Sequence, residues 1–506
     1  MRCLFMAAAA AFALPAQAQP TQSSDQWYVD AQAALAARKA VKLHKKPAKN
    51  VILFLGDGFD PTTAAAARIF DGQTRGEEGE ENLLAFERFP HIAMSKTYTT
   101  NAQTPDSAGT MSAIVTGVKT KSGIISLTAA ALFGECKPSL GANATTLAEL
   151  AEAVGLATGV VTTARLTHAT PAAVYAHSPD RNWESDANLS EEAQASGCKD
   201  IARQLIEFPV GDGLEVAMGG GRSGFLPAET VDPEYPDQKG RRRDGRNLID
   251  EWTKKSPAHI YVWNRAAFAA LDPAKSPRVL GLFEPSHMQF ELDRAADAGG
   301  EPSLAQMTQK AIEILSADKD GYFLMVEAGR IDHAHHDGNA ARALKDVQAL
   351  SEAVALARSQ TREKDTLIVV TADHGHTMAF QGYPKKGNNI LGLATATFED
   401  TADRHGFSIA GDGKPYTTLV YANGPGSIFH AAPKSWTKRP TLRSEEVLDP
   451  AYRQQALIPS AYETHGGQDV LIYASGPRAY LFGGVVEQNY IYHVIDDALR
   501  LKSRSK

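Results

Sequence analysis

The chain has 506 residues, of which 43% are hydrophobic and 22% charged, with a formal net charge of −7. That length supports a sizeable core, either as one large domain with insertions or as two or three domains, and the balance excludes a disordered, fibrous or coiled-coil protein. The mild acidic excess excludes a global attraction to nucleic acid.

The first twenty residues, MRCLFMAAAAAFALPAQAQP, join a basic Arg2, an apolar stretch from Leu4 to Leu14 and the small-residue pattern Ala16-Gln17-Ala18. They predict a secretory signal peptide over residues 1–18, cut after Ala18. Cys3 stands too early to follow a lipoprotein cleavage site, and no later stretch reaches the roughly 18 consecutive apolar residues that span a bilayer. The expectation is an exported protein, periplasmic or extracellular, without a transmembrane segment. Once Cys3 leaves, Cys136 and Cys198 remain in a compartment where disulfides persist. They are expected to pair, the alternatives being a free buried pair or a thiolate metal site.

Residues 19–50 read as an N-terminal helical arm, carried by QWYVDAQAALAARKAVK. VILFLGDG at 51–58 is then a short apolar run ending in Gly-Asp-Gly, the pattern of a buried strand that stops at a functional loop. Similar strands recur in TGVVTT, LEVAMGGG, YFLMVEAG and TLIVVTADHG. Between them lie the helical patterns TTLAELAEAVG, CKDIARQLIE, SLAQMTQKAIEILSA and ALKDVQALSEAVALARSQT. Such alternation predicts an α/β fold, a mostly parallel sheet covered by helices on both faces. Ligands bind such sheets beyond the carboxyl ends of the strands, where Asp57, Glu327, Asp373 and His374 fall. Residues 222–302 and 383–460 break the rhythm and read as insertions on one core spanning 51–500. The basic run KGRRRDGR at 239–246 reads as a solvated loop.

TPDSAGT at 104–110 puts an acid beside a serine at the start of an apolar run. By itself it is an ordinary helix cap, Asp and Ser being favoured there, or it carries a nucleophile in Ser107. Three histidine-rich segments bear on that choice. VEAGRIDHAHHD offers Glu327, Asp332, His333, His335 and His336; TADHGHT offers Asp373, His374 and His376; ETHGGQD offers Glu463, His465 and Asp469. Each alone is often only solvated surface. Together with Asp57, and following strands or facing a Gly-Gly turn, they point to metal. Imidazole with carboxylate suits zinc, an all-oxygen set suits magnesium, and both sets are present.

GDG at 56–58, DSAGT at 106–110, THATPA at 167–172, HSPDRNWESD at 177–186, VEAGRIDHAHHD, TADHGH and ETHGGQDV closely resemble the alkaline phosphatase family, in its order and approximate spacing. The resemblance runs from about residue 45 to 500. It is closer to the animal-type branch, because His168 and His333 stand where the enteric bacterial type carries Asp and Lys. It implies a three-layer α/β/α sandwich with inserted crown-like and metal-binding loop regions, and a homodimer with 383–460 across its interface.

The implied activity is hydrolysis of phosphate monoesters at alkaline pH through a phosphoserine on Ser107. Asp332, His336 and His465 would hold a first zinc. Asp57, Asp373, His374 and the Ser107 oxygen would hold a second. Asp57 would also bridge to a magnesium completed by Thr170 and Glu327. His168, His333 and His376 would support these ligands and the phosphate from behind, Arg181 would clamp the phosphate, and Asp106 would steady Arg181. A fourth, calcium-like site maps to Glu234, the Phe283 carbonyl, Glu284 and Glu301, the last replacing a customary Asp. Cys136 and Cys198 fall where the branch has a disulfide. Two other readings remain: another metal hydrolase of the same superfamily, and a metal- or phosphate-binding protein without turnover. DSAGT lacks the CxPxR-like context of sulfatases, while diesterases usually use Thr and lack the Arg clamp with the third-metal Glu and Thr.

Overall fold

A computed structural model describes residues 22–398, 402–427, 429–430, 435–436 and 439–504. The expected signal peptide, 1–18, lies outside the described residues. The chain divides into two compact units, Met1–Lys42 and Leu43–Lys506. In the first, Asp25 caps the helix Gln26–Lys39, its carboxylate accepting from the Trp27 and Tyr28 amides.

The second unit is built on a ten-stranded sheet. Its first eight strands in chain order are β1 (Asn50–Gly56), β2 (His91–Lys96), β3 (Ala157–Arg165), β4 (Val216–Gly220), β5 (His259–Val262), β6 (Arg278–Leu282), β7 (Tyr322–Ala328) and β8 (Thr366–Ala372). Val470–Ser475 and Val485–Glu487 complete it, and the spatial order is Val485–Glu487, β2, Val470–Ser475, β8, β1, β7, β3, β4, β6, β5. The pairs from β8 to β5 are parallel, and Val470–Ser475 runs antiparallel to both β8 and β2.

The apolar runs of β1, β7 and β8 are buried on both faces, as a central parallel strand must be. Alternate residues feed two cores. Val51, Leu53, Met325 and Val369 pack on one face with the helices Ser107–Thr116, Ala169–Tyr175 and Tyr490–Leu499. Ile52, Phe54, Val326 and Val370 pack on the other with Pro61–Gln73, Leu304–Leu315 and Ala340–Gln360. The result is a three-layer α/β/α sandwich. At roughly 1.5–3 kcal/mol per fully buried large aliphatic side chain, these two layers dominate the stability of the sheet. No helix among the described residues is long and apolar enough to cross a membrane.

The segments expected as insertions differ. Residues 383–460 contribute Leu419–Gly424 and Ala456–Pro459 to a separate three-stranded sheet with Met378–Phe380. Residues 222–302 instead supply β5 and β6 to the central sheet, so this segment extends the core rather than only decorating it. Its short strands lack the long apolar runs that mark β1 and β8. The basic run is exposed at Lys239, Arg241 and Arg243, as expected of a solvated loop, and departs from expectation at Arg242. Arg242 is 1% exposed and donates to Asp200 at 2.9 and 3.1 Å and to Asp244. Nearby aspartates neutralise it and draw it inward, so it staples the segment instead of facing solvent.

Cys136 and Cys198 form a disulfide across a separation of 62 residues. Closing a loop of that size stabilises by about 4 kcal/mol in the chain-entropy account.

Candidate active site

The parallel topology sends β1, β7, β3 and β8 toward one edge, and their carboxyl ends carry the acids. Glu327 in β7 lies opposite Leu55 of β1 and Thr162 of β3. Asp57 and Asp373 follow β1 and β8 immediately, and Asp57, Glu327, Asp373 and His374 are all 0% exposed. The helix Arg330–His336 starts just after β7 and puts Asp332 and His336 one turn apart on one face. His465 reaches the same place through a two-residue antiparallel pairing with His376. At Gly58, φ is +70° and an added Cβ would strike the His376 ring, so only glycine allows this approach.

Asp332, His336, His376 and His465 form one cluster with the spacing of a metal site. His336 Nδ1 donates to the Glu463 carbonyl at 2.5 Å and His465 Nδ1 to the Pro105 carbonyl at 2.8 Å. With Nδ1 so engaged, Nε2 is the nitrogen each ring turns inward, and the two Nε2 atoms face each other at 3.1 Å, both within 3.3 Å of Asp332 Oδ1. Two imidazole nitrogens and a carboxylate so arranged call for a cation. His376 stands behind: it bonds Asp332 at 2.8 Å and Glu463 at 2.5 Å, and although burial disfavours its charge, Glu463 and Asp332 push its pKa up to about 10. Burial would raise the Asp332 pKa, but His336, His376 and His465 hold it well below the carboxylate range.

A second cluster joins Asp57, Asp373 and His374, and a third joins Asp57, His168 and Glu327. Thr170 Oγ1 donates to Asp57 Oδ2 at 3.3 Å. Thr162 holds one oxygen of Glu327, while Glu327 Oε1 is buried and has no hydrogen-bond partner. Burial, then repulsion from Asp373, Asp332 and Glu327, drives the Asp57 pKa well above its ordinary value. Burial likewise raises Glu327 to about 8. Anions packed this closely without compensating charge are unfavourable, and the Asp57, Thr170 and Glu327 oxygens, one of them orphaned, fit a hard cation.

Ser107 opens the helix Ser107–Thr116 between these groups. It is 1% exposed, and its Oγ lies 3.1 Å from His374 Nε2 and 3.5 Å from Asp57 Oδ1. Asp106 caps the helix through the Gly109 amide at 3.2 Å. Its other oxygen accepts from the Gly123 amide at 3.0 Å and from Arg181 Nη1 at 2.9 Å. Arg181 Nη2 lies 3.2 Å from His168 Nε2.

The alkaline phosphatase family model matches residues 48–501. The chain is 44% identical to tissue-nonspecific alkaline phosphatase of Felis catus over 485 residues, 94% of this chain and 89% of that protein. The chain belongs to the alkaline phosphatase family. It is also 44% identical to the alkaline phosphatase of Gadus morhua over 459 residues, 90% of this chain and 92% of that one. The crystal structure of Thermus thermophilus alkaline phosphatase superposes with a TM-score of 0.64 at 25% identity, covering 92% of this chain and 94% of that one. The alkaline phosphatase of the Antarctic bacterium TAB5, at 20% identity and a TM-score of 0.59, covers 90% of this chain and 99% of that one and shares the fold. The enzyme hydrolyses phosphate monoesters, and its family is metal-dependent.

In this alkaline phosphatase site the structure puts Glu463, a candidate from ETHGGQD, behind His376, and it adds His287, which the sequence did not mark. The Glu463 carboxylate is 0% exposed and accepts from His376 and from the Thr377 amide and hydroxyl at 2.6 Å. His287 completes a ring cluster with His333 at 4.0 Å and His168 at 5.3 Å between centroids. No histidine-rich context marked it, since SHMQ lies far from the other segments in sequence. His168 also stands closer to Asp57 and Glu327 than a purely supporting role implies. His335 does not join the centre: it bonds Tyr421 at 2.7 Å and Thr63 at 3.2 Å.

In the 222–302 segment, Glu284 and Glu301 are 4% and 1% exposed. Phe283 directly precedes Glu284 after β6. Glu234 accepts from the Gly299 amide at 2.8 Å and from Arg222 at 3.0 Å.

Proposed function

We propose that Ser107 is the nucleophile of a two-step phosphomonoesterase. What carries this reading is the position of Ser107 Oγ, at a helix N-terminus and wedged between the clusters, with Arg181 fastened to the preceding residue. Asp332, His336 and His465 would hold one zinc; Asp57, Asp373 and His374 a second; Asp57, Thr170 and Glu327 a magnesium. These ions, when bound, supply Lewis acidity that favours the serine alkoxide and offsets charge on the phosphate and the departing oxygen.

The chain's own groups do the rest. Ser107 Oγ attacks phosphorus in line, its bond to phosphorus forming as the ester P–O bond breaks and the alcohol leaves. Arg181 presents the guanidinium edge not held by Asp106 to two phosphate oxygens, a fork that Lys does not offer. The helix N-terminus adds its dipole and amide groups. Water then cleaves the phosphoserine, restoring the hydroxyl and releasing phosphate. His333 and His168 line the Arg181 side, and His376, anchored by Glu463, orients Asp332.

With ³²P-labelled monoester, acid quench is expected to leave label on Ser107. Label on another residue, or none with active enzyme, overturns the assignment.

A fourth, calcium-like site at Glu234, the Phe283 carbonyl, Glu284 and Glu301 belongs to the same reading. So does export after cleavage at residue 18, supported by the disulfide, a bond that persists in oxidising compartments. A homodimer is supported by the exposure of Tyr383, Leu457 and Ile458, at 76%, 68% and 56%, on and beside the three-stranded sheet.

A further inference from the structure

The acidic pocket of the 222–302 segment contains one carboxylate more than the calcium reading assigns. Asp297 follows the short turn Arg294–Ala296 in AADAGG. The Tyr235 hydroxyl lies 3.1 Å from Glu284 Oε1 and 3.3 Å from Asp297 Oδ1, and its single proton serves only one of them. The other donors are few. Gln289 Nε2 reaches Glu284 at 3.2 Å, the Gln289 amide reaches Glu301 at 3.0 Å, and Glu234 takes Gly299 and Arg222. Glu301 Oε2 and Asp297 Oδ2 are buried with no hydrogen-bond partner.

Four carboxylates thus share few donors, and Glu301, only 1% exposed, keeps one oxygen buried and unpartnered. Oxygen-only ligation by several carboxylates and a carbonyl suits a divalent calcium-sized ion, which accepts six to eight oxygens in flexible geometry.

We propose that Asp297 is a direct ligand of the cation at this site, so that the pocket binds its ion through four carboxylates. The inference rests on the calcium reading above and adds to it a residue that reading lacks. Arg222, bonded to both Asp232 and Glu234, offsets part of the accumulated charge.

The test uses the full enzyme, loaded with zinc and magnesium and freed of calcium by EGTA. Calorimetric titration with calcium chloride is expected to give a Kd at least about tenfold weaker for Asp297→Asn than for the wild type. Asp272→Asn, at an exposed acid of the same segment, is expected to match the wild type. Terbium in place of calcium, sensitised by Tyr235, reports bound water through its lifetimes in H₂O and D₂O. Wild type should hold about two waters or fewer, and Asp297→Asn at least one more.

Equal affinity and equal hydration in wild type and Asp297→Asn overturn the role of Asp297 while leaving the calcium site standing. A wild type that binds neither ion overturns both. Should the variant not fold, a wild-type count of about four or more waters overturns the four-carboxylate site by itself, and a count of two or fewer supports it.

Discussion

Two regions of this molecule crowd acids into its interior, and they solve the resulting repulsion with different partners. At the sheet edge, Asp332 is ringed by His336, His376 and His465, with inward-turned imidazole nitrogens 3.1 Å apart. In the 222–302 segment, Glu234, Glu284, Asp297 and Glu301 meet hydroxyl and amide groups and the Arg222 guanidinium, and no imidazole among the described residues bonds them. The difference is one of selectivity. Nitrogen ligands whose second nitrogen is fixed on a carbonyl are preorganised for a zinc-like ion, whereas a flexible oxygen set suits a harder, larger one. On the proposed reading, the first arrangement serves chemistry at Ser107 and the second would hold a segment in place.

Chelators break the comparison most forcefully. 1,10-Phenanthroline should lower activity by at least about 10³-fold, with recovery on adding zinc, because charge compensation at Ser107 is lost. EGTA at matched occupancy should lower unfolding stability by about 2–4 kcal/mol while zinc remains bound, as judged by thermal melting and metal analysis. If EGTA alone removed both zinc and activity, the two regions would not differ in selectivity.

Two arginines, Arg181 half-buried and Arg242 buried, sharpen it further. Arg181 spends one edge on Asp106, while Arg242 is saturated by Asp200 and Asp244. Arg181→Lys should reduce kcat/KM about 10²-fold with little change in Tm. Arg242→Lys should cost about 1–3 kcal/mol of stability and leave kcat/KM within about twofold. Kinetics and melting on both variants separate a guanidinium kept free for substrate from one used as a staple.

The smallest effect concerns a histidine that belongs to neither region. Burial lowers the His177 pKa, but Glu149, 2.9 Å away, raises it more, and the net shift is upward. Because its folded pKa lies above the unfolded value, this group's contribution is fully present below about pH 6.5 and is lost as pH rises through the folded pKa. Glu149, shifted downward, sets the acid limit of the pair near its unfolded value of 4.5. His177→Gln should therefore lose about 1 kcal/mol more at pH 6 than at pH 9 in urea melts. An equal loss at both pH values would mean that His177 contributes only through packing and neutral hydrogen bonds.

Much of the central sheet was legible because β1, β3, β4, β7 and β8 are buried runs with sharp ends. β2, β5, β6 and Val470–Ser475 were not. β2, one strand in from the edge, has an irregular burial pattern, and the short edge strand β5 is only partly buried. The ligand histidines were legible because Asp332 and His336 share a helix turn and Asp373 and His374 follow a strand. His287 was not, since it meets His168 and His333 across long sequence separations with no local pattern to mark it, and ETHGGQD offered Glu463 without showing that it would hold His376.

The opening ambiguity of TPDSAGT resolves along the same line. Local chemistry alone determined that Asp106 caps a helix beginning at Ser107, because a carboxylate before an apolar run finds the free amide of Gly109 whatever the rest of the chain does. The alternating runs determined the sheet and both of its cores, because burial on two faces follows from composition and period. Only the tertiary structure decided that the other oxygen of Asp106 holds Arg181 from 75 residues away, and that two imidazoles 129 residues apart face each other. Those distances depend on the parallel strand order and on the backbone pairing of His376 with His465, which bring separate strand ends to one point and which no local stretch encodes.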